Sequence, residues 1–265
     1  MKELIFVGLG LNDEKGITVG GLEEIKCADH VFMELYTSLM PEFSLQRFEA
    51  ECGKHVSVVS RRELEDENGG TILQATERGK VVFLVPGDPF IATTHVTLRI
   101  EAEKRGVKTR VVHGSSIISA IVSLSGLHNY KFGKTVTVPF PENSSATPYD
   151  VICQNKKTGL HTLCLLDLNP SEARFLSINQ AIASLFETEK KKKEGVVVAS
   201  TPVLGIARAG SRNPMLKADF ANKIASFDFG PPPYSLIFPG DMHFMEAEAL
   251  IVFAGAPAEF MRLAK

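Results

Sequence analysis

The chain has 265 residues, of which 44% are hydrophobic and 23% charged, and its net charge at pH 7 is −2. This composition is typical of a globular protein with one large domain or two ordinary ones, and it excludes an intrinsically disordered chain. The low charge also argues against a nucleic-acid-binding protein, which needs a basic surface. The one basic run, at residues 190–193, lies between two glutamates and is interpreted as a solvated helix end.

The cysteines, the histidines and the N-terminus restrict the class of protein further. The four cysteines form no CxxC pair, and no two histidines have the HxxxH spacing of a metal site. We therefore expect neither disulfides nor a bound metal. The N-terminal apolar run is interrupted at Asn12, so it predicts a first strand rather than a membrane span or a secretion signal. Together these features favour a cytoplasmic protein.

The first half of the chain alternates between predicted strands and helices. Each strand is a short apolar run, and the first helix begins at the capping residue Thr18. Strands are predicted at residues 4–7, 30–34, 56–59, 81–85 and 108–112, and helices at 18–28, 45–52, 63–78 and 90–105. Because strands that alternate with helices form parallel sheets, we expect a doubly wound α/β domain.

Residues 81–95, VVFLVPGDPFIATTH, are the strongest candidate for the centre of an active site. A buried strand ends at Val85, a Pro-Gly-Asp-Pro turn follows, and a helix is predicted from Phe90. In α/β sheets, ligands bind outside the carboxyl ends of the strands. Asp88 is therefore either a ligand-binding residue or the cap of the helix from Phe90.

Polar or glycine-rich turns follow three other strands of this sheet. Gly8 and Gly10 follow the first strand and are either turn residues or a backbone surface for a ligand. The third glycine of a dinucleotide fingerprint is missing, although Glu34 lies where a ribose-binding acid would, so a nicotinamide site stays a minor alternative. Residues 34–38 form a polar cluster after the second strand, and residues 113–117, HGSSI, form either a helix cap or a ligand site.

The second half of the chain predicts another α/β domain, with a mixed sheet. Strands are expected at residues 135–138, 161–166, 196–200, 203–207 and 234–238, and helices at 117–124, 177–190 and 242–253. Residues 139–148 and 208–211 are expected to be loops, and residues 196–207 a hairpin or a broken edge strand around Pro202. We place the domain boundary near His113, with domains at residues 1–113 and 114–265.

Several separated segments together resemble one family, the diphthine synthases, which are tetrapyrrole-methylase-like (class III) methyltransferases. The resemblance runs nearly end to end, and the PGDP turn with the following ATTH is its most specific part. The segments ELYTSL and GLHNYKFGK distinguish this family from the rest of its superfamily. The other matching segments are FVGLGLNDEKGITVGGLEEI, VVHGSSIISA, GLHTLCLLDL, ARAGS and FGPPPYSLIFPGDMHFMEAEAL.

The resemblance implies an S-adenosylmethionine-dependent enzyme, with S-adenosylhomocysteine as the product. In the family, the enzyme methylates the amino group of a carboxy-aminopropyl chain on a histidine of translation elongation factor 2, and the trimethylated product is diphthine. The family fold has two α/β domains with the cofactor in the cleft between them, and family members are generally homodimers. Neither a nucleic acid nor a membrane is implied as a partner.

The resemblance also implies site residues, carried over position by position. In the first domain the cofactor contacts would be Leu11, Asp88, Ile91, Ser116 and Ile117, and in the second Leu166, Ala209 and Tyr234. We expect a histidine in relatives at the position of Tyr234, so a backbone contact is preserved there more readily than a side-chain contact. On this interpretation the glycine-rich turns form one rim of a pocket, and the second domain supplies the other.

The group that holds or deprotonates the acceptor amine is left open among four residues: Glu34, Tyr36, His95 and Asp150. Two other functions stay as alternatives. One is a tetrapyrrole (porphyrinoid) C-methyltransferase of the same superfamily, and the other is a nucleotide-binding α/β module without catalytic activity.

Overall fold

The structure, a computed structural model, describes residues 2–265. The chain divides into two compact units. Of the described residues, the first comprises 2–117 and Asn169–Ala173, and the second comprises Ile118–Leu168 and Arg174–Lys265. Each unit contains a five-stranded sheet, which confirms the predicted α/β class with a parallel sheet followed by a mixed one.

The first sheet is parallel throughout. Its strands, in chain order, are β1 (Glu3–Gly8), β2 (His30–Met33), β3 (Ser57–Val58), β4 (Lys80–Val85) and β5 (Lys108–Val112). In space they lie in the order β3-β2-β4-β1-β5. Along β1, Leu4 and Phe6 pack into one core cluster while Ile5 and Val7 pack into another. The sheet is therefore buried on both faces, which is why its central strands are continuous apolar runs.

The helices of the first unit begin at side-chain caps where the sequence provides them. They are α1 (Val19–Lys26), α2 (Leu45–Cys52), α3 (Arg61–Glu65), α4 (Gly70–Ala75) and α5 (Val96–Lys104). The Thr18 hydroxyl accepts a hydrogen bond from the backbone N–H of Gly21, as the sequence predicted for the start of α1. Ser60 and Glu63 form a reciprocal capping box at the start of α3.

Two helix predictions in the first unit were wrong. The single helix expected at residues 63–78 is interrupted after α3, because Asn68 and Gly69 adopt left-handed backbone conformations with φ of 52° and 62°. The helix expected from Phe90 begins only at Val96. Ala92 has a φ of 57°, and the Thr93 hydroxyl donates to the Pro89 carbonyl oxygen at 2.6 Å, so residues 89–95 form turns instead.

The second sheet mixes both strand directions. The strands in the second half of the chain are β6 (Val136–Val138), β7 (Thr162–Leu166), β8 (Leu168–Asn169), β9 (Arg174–Phe175), β10 (Pro202–Ala207), β11 (Met215–Phe220) and β12 (Tyr234–Phe238), and five of them form this sheet. The sheet order is β11-β10-β12-β7-β6, and β8 pairs separately with β9. Only the pair of β6 and β7 is parallel within the described sheet, and the other neighbours are antiparallel.

Five α-helices lie at residues 117–265, and the last four of them pack against strands of this sheet. They are α6 (Ile117–Ser125), α7 (Thr147–Lys157), α8 (Ile178–Lys192), α9 (Ala221–Ile224) and α10 (Phe244–Ala254). The core of the unit includes Ala181, Ile182 and Leu185 of α8. Among residues 2–265, no helix combines the length and the apolar composition needed to cross a membrane.

The sequence prediction missed the short elements β8, β9 and α9 and also differs from the structure in larger elements. No strand forms at residues 196–200, because the Glu189 carboxylate binds the backbone N–H groups of Gly195, Val196 and Val197 at 2.8–2.9 Å. The hairpin partner of β10 is instead β11, which was not predicted. Helix α7 was also missed, and its first turn overlaps the loop expected at residues 139–148.

Candidate functional site

The turns after β1 and β4 are hydrogen-bonded to each other at the carboxyl edge of the first sheet. The Gly10 N–H donates to the Gly87 carbonyl oxygen at 3.2 Å, and the Gly87 N–H donates to the Gly10 carbonyl oxygen at 2.7 Å. The Leu9 N–H donates to the Val85 carbonyl oxygen at 2.8 Å. The two turns therefore form one rigid backbone unit.

The turn after β5 packs against the same backbone unit. A Cβ atom on Gly8 would lie 2.5 Å from both the Gly114 nitrogen and the Gly87 carbonyl oxygen, and one on Gly114 would lie 2.9 Å from the Gly8 Cα. Real Cβ atoms do not approach other atoms this closely, so Gly8 and Gly114 are required for the contact between turns. This packing accounts for Gly8 without a dinucleotide-binding fingerprint.

Asp88 connects two of these turns through its side chain. It is 7% exposed, and its Oδ2 lies 2.7 Å from Nδ1 of His113, which follows β5. Its Oδ1 accepts a hydrogen bond from the Phe90 N–H at 3.1 Å. Asp88 does not cap a helix from Phe90, because that helix does not exist. The turn after β5 was expected near Asp88, but the sequence did not identify the His113 side chain as its partner.

The other expected cofactor residues of the first unit lie around the same edge. Leu11 follows β1, Ile91 follows β4, and Ser116 and Ile117 follow β5, where Ile117 is the first residue of α6. The Ile91 side chain is 43% exposed, although its N–H donates to the Asp88 carbonyl oxygen at 3.3 Å. Residues that are far apart in the sequence thus reach one edge because β4, β1 and β5 are adjacent and parallel.

In the second unit, the three expected cofactor residues lie at one end of its sheet. Ala209 follows β10, whose Ala207 pairs with Tyr234 at the start of β12. Leu166 is the residue after Leu165, which pairs with Ser235. The Tyr234 hydroxyl donates to the Gly230 carbonyl oxygen at 2.5 Å, and burial raises the pKa of this side chain.

Of the four residues proposed to hold or deprotonate the acceptor amine, three lie together in the first unit. The carboxylate of Glu34 is fully buried and lies 3.3 Å from Nε2 of the buried His95. The ring of Tyr36 packs edge-on against the His95 ring. Burial, with the nearby Glu34 and Glu65 carboxylates, raises the pKa of Tyr36 well above its ordinary value, so the phenol stays protonated. The fourth candidate, Asp150, lies in α7 of the second unit and forms an ion pair with Lys192.

A buried charged cluster in the second unit was not predicted as such. Glu246, in the first turn of α10, is 0% exposed and accepts hydrogen bonds from the backbone N–H groups of His128 and His243, both at 2.8 Å. It also binds the Lys131 ammonium and lies 3.0 Å from His161 Nε2. Burial opposes ionisation, but Lys131 and the hydrogen bonds outweigh it and lower the pKa of Glu246 to about 2.

The tautomer of His161 in this cluster follows from its partners. The Gly240 N–H donates to His161 Nδ1 at 2.9 Å, so the proton of the neutral ring lies on Nε2 and faces Glu246. Burial lowers the pKa of His161, which favours this neutral form. The signal for the cluster was present in the segments GLHNYKFGK, GLHTLCLLDL and PGDMHFMEAEAL, which the structure brings together.

Comparison with known proteins identifies the family. Residues 3–214 match the model of the tetrapyrrole (corrin/porphyrin) methylases. The chain is 44% identical to a diphthine synthase of Methanosarcina barkeri over 266 residues, which cover 98% of each chain. It is 46% identical to a diphthine synthase of Methanocella arvoryzae over 254 residues, which cover 95% of this chain and 98% of the relative.

A solved structure agrees with these sequence relatives. A crystal structure of a diphthine synthase superposes with a TM-score of 0.89 at 41% identity, and the match covers 99% of this chain and 100% of that one. The resemblance seen in the sequence is therefore confirmed, and the chain is a methyltransferase by family. We conclude that the chain belongs to the diphthine synthases, within the tetrapyrrole (corrin/porphyrin) methylase family.

Proposed function

We propose that the protein uses S-adenosylmethionine to trimethylate the amino group of the carboxy-aminopropyl-histidine of translation elongation factor 2, which gives diphthine in the cytoplasm. The proposal is carried by the edge at which the turns after β1, β4 and β5 meet, since this edge gathers the expected cofactor residues of the first unit. Membership of the diphthine synthases supports the choice of acceptor.

The residues at this edge fit S-adenosylmethionine in charge and in shape. The Asp88 carboxylate has two of its four lone-pair positions occupied, which leaves two for a ribose hydroxyl or the cofactor ammonium group. A Cβ on Gly87 would meet the Ser115 carbonyl oxygen at 3.9 Å and no other atom within 4 Å outside its chain neighbours, so this backbone borders open space. The exposed Ile91 side chain offers an apolar surface beside it.

In the reaction, S-adenosylmethionine supplies an electrophilic methyl group, and the chain supplies alignment. In-line displacement depends mainly on holding the two reactants in the right geometry in a site that excludes water. We assign water exclusion to the apolar side chains of Leu11, Ile91, Leu166 and Ala209. Backbone groups of Ser116, Ile117 and Tyr234 would bind the polar ends of the cofactor. The acceptor amine must be unprotonated when it attacks.

The decisive experiment incubates the purified protein with labelled S-adenosylmethionine and an elongation factor that carries the unmethylated intermediate. We expect label on the modified histidine and a mass increase of up to three methyl groups. Transfer to a porphyrinoid precursor instead would favour the tetrapyrrole methyltransferase. Cofactor binding with no S-adenosylhomocysteine formed from either acceptor would favour a non-catalytic module.

We also propose that two copies of the chain associate through the outward face of α10 and the following C-terminal turn. Met245 and Val252 are seven residues apart on one face of α10 and are 56% and 69% exposed. The remaining large apolar side chains that are exposed here are Phe244, Phe253, Met261 and Leu263. At about 200 Å² per large side chain, the six expose roughly 600 Å² of apolar surface, which approaches the ~800 Å² per partner of a standard interface.

Replacing an apolar residue of this face with a charge tests the association. We expect Val252→Glu to convert a dimer into a monomer in sedimentation velocity. In a two-fold symmetric interface each copy contributes one glutamate, so the interface would have to bury two unpaired charges. Val19 of α1 is 74% exposed outside this face, so Val19→Glu is the matched control. A monomeric unaltered protein, or a dimer that survives Val252→Glu, would contradict the proposal.

A further inference from the structure

Glu34 directly follows β2 and precedes the partly exposed loop at residues 35–39. Its Oε2 accepts hydrogen bonds from the backbone N–H groups of Tyr36 at 2.8 Å and Thr37 at 3.0 Å. Its Oε1 accepts one from the Thr37 hydroxyl and one from His95 Nε2, the latter at 3.3 Å. The carboxylate thus fixes the backbone of this loop at two consecutive residues.

These four hydrogen bonds decide what Glu34 can do. A carboxylate has about four lone-pair positions, and all four are occupied by protein donors. Glu34 is also 0% exposed. No position is left for a proton from an acceptor amine, so Glu34 does not fit the role of a general base. Asp88, by contrast, keeps two positions open.

His95 extends the same network to the segment that follows Asp88. It is 2% exposed and directly precedes α5, so its bond to Glu34 anchors the end of the turn segment 89–95. The start of that segment is anchored by Asp88 through the Phe90 N–H and His113. Glu34 and His95 therefore fix the loop after β2 relative to the turn after β4.

The order of the strands gives this loop a place beside the cofactor edge. The expected cofactor residues of the first unit follow β4, β1 and β5, and β2 lies on the opposite side of β4 from β1. The loop after β2 is thus adjacent to the Asp88 turn without belonging to the three packed turns. A methyl acceptor needs such a neighbouring position, because the reacting atoms of the two substrates must come within about 3–3.5 Å.

We propose that Glu34 and His95 are positioning residues for the methyl acceptor, which they serve by holding loop 35–39 as its binding surface. This inference rests on the proposed function and deepens it. The acceptor class is a side chain that carries both an amine and a carboxylate. Residues 35–39 are intermediate in exposure, while Glu34 and His95 are buried, so the loop is accessible to an acceptor and the pair can act only through the loop.

The test separates the acceptor from the cofactor. Thr37→Val removes one donor to Glu34 while it keeps the shape of the side chain, and Thr37→Ser restores the hydroxyl. Glu34→Gln keeps the size of the side chain but exchanges an acceptor for a donor. We expect Thr37→Val and Glu34→Gln to raise KM for the modified elongation factor about 10- to 100-fold. Thr37→Ser should stay within about threefold, and the Kd for S-adenosylmethionine, measured by calorimetry, within about twofold in all three.

A second glutamate–histidine pair in the same unit provides the control. His55 Nδ1 lies 2.8 Å from Glu49 Oε1, but the His55 side chain is 87% exposed, and His55→Gln should leave both constants unchanged. No methyl transfer by the unaltered protein would contradict the proposed function itself. Normal transfer by the unaltered protein, with an unchanged acceptor KM in Thr37→Val and Glu34→Gln, would overturn the positioning role alone. The positioning role would also be overturned if these variants raised the acceptor KM and the cofactor Kd by similar factors and lowered the melting temperature. That result would show a general structural role.

Discussion

Replacing Lys131 with methionine should destabilise the protein by about 3 kcal/mol, because breaking a buried ion pair leaves one charge uncompensated. The remaining charge is the Glu246 carboxylate, which is 0% exposed. Its other hydrogen-bond partners are the neutral His161 and two backbone N–H groups, and the His128 ring lies 3.6 Å away. The Lys131 side chain is 22% exposed, so we expect a loss at the lower end of the ~3–5 kcal/mol range for buried pairs.

The size of this loss should depend on pH in a defined direction. Burial opposes ionisation of Glu246, but Lys131 and the hydrogen bonds lower its pKa from 4.5 to about 2. A folded pKa below the unfolded value means that Glu246 adds stability above about pH 4.5 and that this stability is lost as the pH falls toward 2. In Lys131→Met the carboxyl group takes up its proton at a higher pH. The deficit should therefore be full near pH 7 and smaller near pH 4.

Thermal unfolding followed by circular dichroism measures both effects. A loss of ~3 kcal/mol corresponds to a Tm about 6–12 °C lower in a protein of this size. Adding Glu246→Gln to Lys131→Met should recover part of the loss, since an amide replaces the uncompensated charge. Lys190→Met is the control, because its ion pair with Glu187 is exposed on both sides. A deficit that is below about 1 kcal/mol, or equal at both pH values, would refute the reasoning.

Two further predictions concern the turns at the edge of the first sheet. Asp88→Ala should weaken S-adenosylmethionine binding about tenfold or more in calorimetry while the fold is retained, as expected for a charged hydrogen bond; unchanged affinity would leave Asp88 only its structural bonds to Phe90 and His113. Gly114→Ala should lower stability by more than about 2 kcal/mol, since its Cβ would overlap the Gly8 backbone. Gly20→Ala has no atom within 4 Å of the new Cβ and should be neutral or stabilising; equal losses would contradict the packing argument.

The failed sequence predictions have identifiable physical causes. The helix expected from Phe90 begins only at Val96, because Ala92 adopts a left-handed backbone conformation and the Thr93 hydroxyl donates to the Pro89 carbonyl oxygen. The strand expected at residues 196–200 is apolar and β-branched, but its N–H groups bind Glu189 rather than a neighbouring strand. In both segments, the partners that decide the backbone conformation are not contained in a local hydrophobic pattern.

At the candidate site, too, local sequence signals predicted some features, while contacts between distant residues decided others. The sequence placed Asp88 in a turn and Glu34 at a strand end, because glycine-rich and polar punctuation after an apolar run is a local signal. It placed His95 inside a helix, whereas this residue directly precedes α5. It could not separate their roles. The four donors to Glu34 come from the loop beside it and from a residue 61 positions away, and they distinguish an inward-facing carboxylate from one with room for a ligand.

By itself, the sequence determined the α/β class, the parallel strand direction in the first half and the family, because apolar periodicity, turn residues and extended motifs are properties of the linear chain. Only the tertiary structure decided which turns touch. The contacts of Gly8 with Gly114, of Asp88 with His113 and of Glu246 with Lys131 join residues 25 to 115 positions apart. Such contacts depend on the order of strands in a sheet and on the packing of helices beside it, which no local pattern specifies.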